Sequence, residues 1–404
     1  MTKNYILGLD IAQNTAVAQL DHADGTRCWR DTLTTDQAGW QHLESLCAAH
    51  GATWATTRVL LEATGVYHLP WAERLTQAGA EVYGLNPLLA ARLQSAANAL
   101  REHKTDHVDV HRLCEVGRLY ADQLGRFRYR PEPDRQGLKQ LDHARATLRT
   151  TLTNLRKSLR SQLELVFPAL LEAKVGPYTA QAAAILETAP TAGRWRALPS
   201  AERRRLAGAK QAALDQACAQ TLADEALAQA CVPAVRALLG GQQALRVQLE
   251  ACDQQIAPRL PPERVALIRS IPGFGERTAA VLTVYLPAGF EGWGKPKQIT
   301  ARLQALFGTD PRLRQSGKWT GRVTISKRGI RAARTALFQA AFCSLATDPE
   351  NAAYYQARRQ GDGRHRRPKT HKEAIVDVMR KQLRRLVSVL LANQPFVAKS
   401  PLAA

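Results

Sequence analysis

Cysteine is scarce in this sequence of 404 residues, and its arrangement argues against one common class of small fold. The seven cysteines are scattered, and no two of them form a Cys-x-x-Cys pair. A disulfide framework or a structural zinc site normally uses an even number of paired or regularly spaced cysteines. We therefore expect a protein of a reducing compartment that is stabilised by ordinary hydrophobic cores.

Long apolar runs are also missing. No stretch approaches the roughly 18 uninterrupted apolar residues that a membrane-spanning helix needs. At the N-terminus one lysine precedes the short apolar segment 5–9, which does not resemble a secretion signal. These absences predict a cytoplasmic protein without a membrane partner.

Acidic residues are outnumbered. The chain has 56 Lys and Arg against 35 Asp and Glu, which gives a formal net charge of +21. Residues 301–404 alone contain 21 of the basic residues and only six of the acidic ones. Such an uneven excess predicts a polyanionic partner, most simply a nucleic acid. Composition alone is equally compatible with a ribosome-associated basic protein.

The first third of the sequence alternates between strand and helix patterns. Residues 5–20 predict two strands joined by a turn at 13–14, and residues 28–33 predict a third. The later segments predict a helix at 36–50, a strand at 58–62, a helix at 70–78, a strand at 81–85 and a helical run over 88–124. This order predicts an α/β domain with a ribonuclease H-like sheet.

The remainder is predicted to be mainly helical. Leucines at heptad spacing over residues 138–159, and apolar residues at the same spacing over 238–256, indicate an antiparallel helical pair or a dimer seam of the coiled-coil type. A tail with its own helices begins near residue 261. We therefore predict an α/β domain over 1–127, a helical coiled-coil region over 128–260 and a C-terminal domain over 261–404.

Four carboxylates in the first domain are candidate metal ligands. Asp10 and Glu62 each end an apolar strand pattern, while Asp106 and Asp109 are three residues apart on one helix face. A lone Asp-x-x-Asp is usually a solvated helix face. Joined to two acids at strand ends, however, it predicts a site for Mg²⁺, which prefers oxygen ligands and assists phosphodiester chemistry.

A glycine-rich turn opens a helix in the C-terminal domain. Gly273 and Gly275 let the backbone turn sharply before Thr278. Amide groups at the start of the following helix can hold a phosphate, as in helix-hairpin-helix DNA-binding proteins. An ordinary turn between two helices explains the same pattern nearly as well.

Further along, a serine lies among basic residues. Ser316 needs a base and a charge-neutralised phosphate before it can act as a nucleophile, and the surrounding cations can supply the second requirement. A metal-bound hydroxide from the acid cluster could supply the base. The candidate nucleic-acid-binding side chains near the serine and in a later basic loop are Arg314, Lys318, Arg322, Lys327, Arg328, Arg364, Arg366 and Arg367. Contacts of this kind give affinity without sequence choice.

Taken in order, these segments resemble one family: the DEDD transposases of bacterial insertion sequences, which are related to Piv-type DNA invertases and include bridge-RNA-guided recombinases. The resemblance extends through nearly the whole chain. The matching segments are Gly8-Leu9-Asp10, Glu62-Ala63-Thr64-Gly65, Asn86-Pro87, residues 104–109, residues 272–279, Gln315-Ser316-Gly317 and residues 326–329.

The resemblance implies a RuvC-like N-terminal domain over 1–127, a coiled-coil middle and a C-terminal transposase domain over 261–404, and with them a mechanism. It implies that Asp10, Glu62, Asp106 and Asp109 bind Mg²⁺ and that Ser316 forms a covalent phosphoserine link to DNA during strand transfer. It also implies donor and target DNA as substrates, a noncoding guide RNA, and a nucleoid-associated bacterial enzyme. Rejoining two duplexes requires several active sites, so we expect a homodimer or homotetramer.

Three alternatives remain open at this point. A hydrolytic nuclease or Holliday-junction resolvase would use water as the nucleophile and leave the serine structural. An actin-like kinase or ATPase also opens with a strand ending in Gly-x-Asp, but it predicts glycine-rich phosphate loops that we do not find between strands. A nucleic-acid-binding protein without catalysis would tolerate the change Asp10→Asn.

Overall fold

The structure is a computed structural model whose chain divides into two compact units, Met1–Pro133 and Asp134–Ala404. Among the residues that it describes, no helix combines the length and the apolar character needed to cross a membrane. The domain boundaries near residues 127 and 260 stay a prediction. The described residues are 3–63, 65–85, 106–312, 315–316, 319–320, 324–361 and 368–398.

A five-stranded mixed sheet forms the centre of the first unit. Its strands lie in the order β3-β2-β1-β4-β5. The pairs β1–β2 and β2–β3 are antiparallel, whereas β4 runs parallel to both β1 and β5. The predicted α/β character of this region is therefore confirmed. The strands are β1 (Tyr5–Ile11), β2 (Thr15–His22), β3 (Arg27–Thr34), β4 (Thr57–Glu62) and β5 (Glu81–Leu85).

Helices cover both faces of this sheet because the strands bury alternate residues on each side. On one face, Leu7 and Leu9 of β1 share a core with residues of α1 (Gln37–Ala49) and α2 (His68–Gln77). On the other, Ile6 of β1 and Leu60 of β4 share a core with α3 (Asp106–Leu119). Of the helical run predicted over 88–124, residues 88–105 lie outside the described chain.

Two glycines allow α3 to approach the sheet closely. A Cβ added to Gly8 would lie 2.7 Å from the Val110 carbonyl oxygen and 3.0 Å from the Cys114 sulfur. A Cβ added to Gly117 would lie 2.7 Å from the Cγ2 of Ile6. Real Cβ atoms do not come this close to other heavy atoms, and at Gly8 the neighbour is backbone, so α3 can occupy its position only because Gly8 lacks a side chain.

Seven helices form the first part of the second unit. The two longest, α4 and α10, run antiparallel, because Arg145 of α4 pairs with Asp253 near the end of α10 while Leu155 lies near Gly241. A dimer seam of the coiled-coil type stays a prediction. The helices are α4 (Pro133–Val166), α5 (Pro168–Glu172), α6 (Ala180–Thr188), α7 (Ala192–Ala197), α8 (Ser200–Ala207), α9 (Gln211–Gln220) and α10 (Glu225–Ile256).

An ionic network joins α4 and α10 to the following helices. The guanidinium of Arg145, a charged residue at a leucine position of the heptad pattern, is buried and binds both carboxylate oxygens of Asp253. Asp253 also accepts a hydrogen bond from Arg277 at 3.1 Å. Neighbouring Asp142 is buried as well, and burial raises the pKa of its carboxyl group although a hydrogen bond from Tyr285 opposes this effect. At this position of the heptad pattern, the ion pair of Arg145 with Asp253 thus replaces the apolar contact that a leucine would make.

The C-terminal part packs six helices around one apolar core, with short strand pairs between α13 and α14. The sequence patterns did not predict α15 or these strands. Two-residue strands are too short to show periodicity, whereas α15 is preceded by a readable cap, Asp348 followed by Pro349. The helices are α11 (Pro262–Arg269), α12 (Glu276–Tyr285), α13 (Pro296–Phe307), α14 (Arg331–Thr347), α15 (Pro349–Gln360) and α16 (His371–Ala392).

The close approach at Gly8 predicts a specific sensitivity. We expect Gly8→Ala to destabilise the first unit by about 1–3 kcal/mol, because α3 must move away from β1. Urea unfolding of the full chain, followed by hydrogen exchange in β1 and α3, measures this change. Gly125→Ala serves as the matched control, since an added Cβ there has no neighbour within 4 Å. Equal stability of the two variants would contradict the packing described.

The network at Arg145 predicts non-additive stability effects. Asp253→Ala leaves the buried guanidinium without its main carboxylate, so we expect a loss of about 1–3 kcal/mol. Adding Arg145→Met to that variant removes the unpaired charge and should restore part of the loss. Thermal unfolding of the two single variants and the double variant tests this. If the stability losses of the two single variants add up to the loss of the double variant, Arg145 and Asp253 are not coupled.

Candidate active site and nucleic-acid surfaces

Two of the four candidate acids lie side by side on the sheet. Leu9 of β1 is paired in register with Leu61 of β4, so Asp10 and Glu62 are the next residues of neighbouring parallel strands. Because side chains alternate along a strand, Asp10 lies on the face of Gly8, which is the face that α3 covers. Both acids are therefore directed to the same side of the sheet.

The other two acids lie in the first turn of α3. The Val110 carbonyl lies over Gly8, whereas Gly117, two turns later, lies against Ile6 at the opposite end of β1. The helix thus runs backwards along β1, and its N-terminal turn lies toward the end of β1 that carries Asp10. The fold therefore brings Asp106 and Asp109 to the face and the end of the sheet where Asp10 and Glu62 lie.

The carboxylates differ in their environment. Asp106 is exposed, whereas Asp109 is only 8% exposed and accepts a hydrogen bond from the Arg112 Nη1 at 3.2 Å. Asp10 and Glu62 are half-buried. Across the described residues, the side-chain positions form no group of three or more His, Cys, Asp or Glu that could hold a metal. The donor set itself, four carboxylates, has the chemistry of a hard divalent cation site.

A buried polar network supports this end of α3. Gln19 of β2, paired with Gly8, is fully buried, and its Nε2 lies 2.9 Å from the Oδ1 of Asp21 and 3.1 Å from the Nδ1 of His111 on α3. Arg30 donates to the Gln19 Oε1 at 2.7 Å and fixes the orientation of the amide. Burial raises the pKa of Asp21. The sequence patterns did not identify this network, because its members are spread over three elements.

Ser316 lies in one of two short antiparallel strand pairs between α13 and α14, which together we call the ribbon. The outer pair consists of β6 (Pro311–Arg312) and β9 (Thr324–Ile325), and the inner pair of β7 (Gln315–Ser316) and β8 (Trp319–Thr320). Ser316 is paired with Trp319 next to a two-residue connection. The backbone of the candidate nucleophile is therefore near the tip of a hairpin. The candidate cations Arg314, Lys318 and Arg322 lie outside the described residues.

The base of the ribbon is tightly packed. An added Cβ at Gly308 would lie 2.6 Å from the Gly329 nitrogen, and the Ser326 side chain donates a hydrogen bond to the Asp310 carboxylate. Lys327 adopts a left-handed backbone conformation with φ of 55°, and its amide donates to the Gly308 carbonyl at 3.0 Å. Lys327 and the neighbouring Arg328 are both exposed there.

The predicted helix-hairpin-helix turn connects α11 to α12. Gly273 has φ of 92°, and an added Cβ would lie 2.3 Å from the Ala340 carbonyl oxygen of α14. Thr278 donates to the carbonyl of Gly275, the residue that caps α12. Gly273 thus has a packing role, and an acid, Glu276, opens α12. The phosphate-binding role of the turn stays a prediction.

The predicted basic loop has a firmly closed stem. Its side chains Arg364, Arg366 and Arg367 lie outside the described residues. On either side of them, the Lys369 amide donates to the Arg358 carbonyl at 3.1 Å, and both side chains form ion pairs with buried Asp377 of α16. In the sequence, the presence of Asp377 in a helix rich in Lys and Arg already indicated that neighbouring cations could form ion pairs with it.

Two family models match the chain. A transposase family model of the DEDD type matches residues 7–168, which include all four acids. A second model, described as transposase IS116/IS110/IS902 family, matches residues 265–356, which include Ser316. No curated protein matches the chain. The chain belongs to the IS110-type family of DEDD transposases, enzymes that act on DNA.

Proposed function

We propose that this transposase cuts and rejoins DNA by transesterification through Ser316. The Ser316 Oγ attacks the phosphorus of a backbone phosphodiester and loses its proton. The bond between phosphorus and the leaving sugar oxygen breaks, and that oxygen takes up a proton to become a free hydroxyl. In the reverse step, a strand-end hydroxyl attacks the phosphoserine and releases the serine. Because a phosphodiester is kept throughout, no nucleotide hydrolysis is needed.

Support for the nucleophile comes from the placement of its backbone. Ser316 lies in a strand that pairs with Trp319 across a two-residue connection, so its backbone is near the end of a short antiparallel pair. A nucleophile whose backbone is held by strand pairing needs little reorganisation when it meets a phosphate. The exposed cations at the base of the ribbon, Lys327 and Arg328, are suited to hold the adjoining DNA backbone.

The four acids would complete the reaction in this proposal. Asp10, Glu62, Asp106 and Asp109 would hold Mg²⁺, which when bound neutralises charge on the phosphate and lowers the pKa of bound water. The strand order β3-β2-β1-β4-β5, with β2 and β3 antiparallel and β4 parallel to β1, supports a RuvC-like assignment of the first unit. In this proposal, the packing of α3 on β1 keeps the first turn of α3, which carries Asp106 and Asp109, near the strand end that carries Asp10.

The positive charge of the chain supports nucleic acids as its partners. The excess of Lys and Arg over Asp and Glu is concentrated in residues 301–404, which fits binding to donor and target DNA. A noncoding guide RNA would be a further polyanionic partner. Exchange of two duplexes requires more than one Ser316, so the proposal includes a homodimer or homotetramer in which the acids of one subunit serve the serine of the same or another subunit.

A hydrolytic nuclease or junction resolvase is the second candidate. One observation favours it: all four acids belong to a single compact unit that does not contain Ser316. A hydrolase would need only that unit, with water as the nucleophile. The two functions differ in one product, since only transesterification leaves DNA attached to the protein.

Substituting the serine separates these functions. We expect Ser316→Ala to abolish both the covalent protein–DNA adduct and strand rejoining, because no other group in the proposal carries the phosphate. Denaturing gel electrophoresis with end-labelled DNA detects the adduct. Thr324→Ala, which removes an exposed hydroxyl from β9 of the same ribbon, is the matched control and should still form the adduct. If Ser316→Ala retains full strand cutting, the hydrolytic function is correct.

Substituting a strand-end acid tests the metal role. We expect Asp10→Asn to lower strand cutting in Mg²⁺ by about 100-fold or more, because charge stabilisation at the phosphate is lost. DNA affinity and folding should change little. Asp24→Asn, at an exposed turn between β2 and β3, should cut DNA at the wild-type rate. Normal activity of Asp10→Asn would remove this acid from the site.

A further inference from the structure

A row of aromatic rings crosses the surface of the C-terminal helices. Phe338 and Phe342 lie one turn apart on α14 and are 37% and 52% exposed. The ring of Phe342 meets His371, the first residue of α16, edge to face with 6.2 Å between centroids. His371 in turn meets Tyr355 of α15 at 5.8 Å. We call these four residues the aromatic ladder.

The ladder is held together at its centre. The Tyr355 hydroxyl and the His371 Nδ1 are 2.7 Å apart and share a hydrogen bond, so three helices fix the relative positions of these rings. The two phenylalanines, by contrast, expose much of their area to water. Exposed phenylalanines on a helix otherwise rich in alanine indicate that this face contacts another molecule.

Basic residues lie near the ladder, together with one acid, Glu373, two residues after His371. Arg331 lies two turns before Phe338 on the exposed side of α14, and Arg359 lies one turn after Tyr355 on α15. The α14 sequence contains no acidic residue. The Arg359 guanidinium donates to the Lys369 carbonyl at 2.7 Å and so lies beside the stem of the basic loop. Cations therefore flank the aromatic row on both sides.

We propose that the aromatic ladder stacks unpaired bases of a nucleic-acid strand while the flanking arginines contact its phosphates. Proteins that hold single strands combine aromatic rings with a basic track, and each stacked base contributes about 1–3 kcal/mol. A second copy of this chain is the other possible occupant. The positive flanks argue against it, because two such faces would repel each other.

This inference rests on the action of the chain on DNA and is independent of the serine chemistry. Strand transfer exposes unpaired bases near a cut, and a guide RNA contains unpaired loops as well. Both sources present the same chemistry, a stackable base next to a phosphate. The ladder would keep such a strand from re-pairing.

Binding of three matched oligonucleotides to the full chain tests the proposal. The probes are a 20-nucleotide thymidine strand, an abasic strand of the same length and a duplex, each measured by fluorescence anisotropy. We expect the double variant Phe338→Ala with Phe342→Ala to bind the thymidine strand at least about 10-fold more weakly. Affinity for the abasic strand and the duplex should stay within about twofold, because their phosphate contacts remain.

Two controls keep the result interpretable. Phe342→Trp retains a stacking surface and should bind the thymidine strand at least as tightly as the wild type. Val247→Ala removes an exposed apolar side chain of α10 and should bind all probes normally. The same assay with a uridine strand compares DNA and RNA as sources of the unpaired bases. If the double phenylalanine variant loses more affinity for the uridine strand than for the thymidine strand, the ladder binds a guide RNA. An equal loss of affinity shows that the ladder binds either kind of strand.

Other outcomes overturn the inference. An equal loss on all three probes would mean that the rings support general DNA binding or folding. Unchanged binding combined with a smaller assembly in analytical ultracentrifugation would show that the ladder joins two copies of the chain. Neither result affects the protein–DNA adduct at Ser316, so failure of this inference is distinguishable from failure of the proposed function.

Discussion

The close contact between α3 and β1 is the constraint on which the first unit depends. A residue without a side chain at Gly8 lets the Val110 carbonyl lie directly over the sheet. This contact sets the position of the first turn of α3, and with it Asp106 and Asp109, relative to the strand end that carries Asp10. The Gln19–His111 contact holds the same helix from the neighbouring strand. The positions of the four acids are therefore set by the packing of α3 on the sheet more than by contacts between the acids themselves.

The second unit distributes its charges in two ways. Inside, acids and arginines compensate one another, as in the Arg145–Asp253–Arg277 network and around Asp377. On the surface, some cations are paired as well, as Arg160 is with Glu164, whereas others, such as Lys327 at the base of the ribbon, are exposed. Arginines used internally are not free for DNA, so the net charge of +21 overstates the binding surface. Surface position, and not the count of basic residues, decides which of them can contact a phosphate.

Sequence patterns predicted the sheet and the long helices because these elements carry strong periodicity. They also predicted the positions of Asp10 and Glu62 at the ends of apolar strands, while the role of these acids as metal ligands stays a prediction. They did not reveal the Gln19 network or the ion pair of Arg277 with Asp253, because both depend on residues distant in sequence. The pair of Arg112 and Asp109, three residues apart on α3, is local and was a signal in the sequence that we did not use. The ribbon strands are too short to leave a pattern, and the role of Gly273 became clear only from its contact with α14. Contacts between elements require the folded chain.

The central claim is that Ser316 carries the broken strand while the acids assist. Peptide mapping by mass spectrometry of the trapped wild-type protein–DNA adduct tests it most directly. The account predicts a nucleotide attached through a phosphoester to the peptide that contains Ser316, and specifically to that side chain. A nucleotide on a different residue, or complete cutting of DNA without any modified peptide, would contradict it.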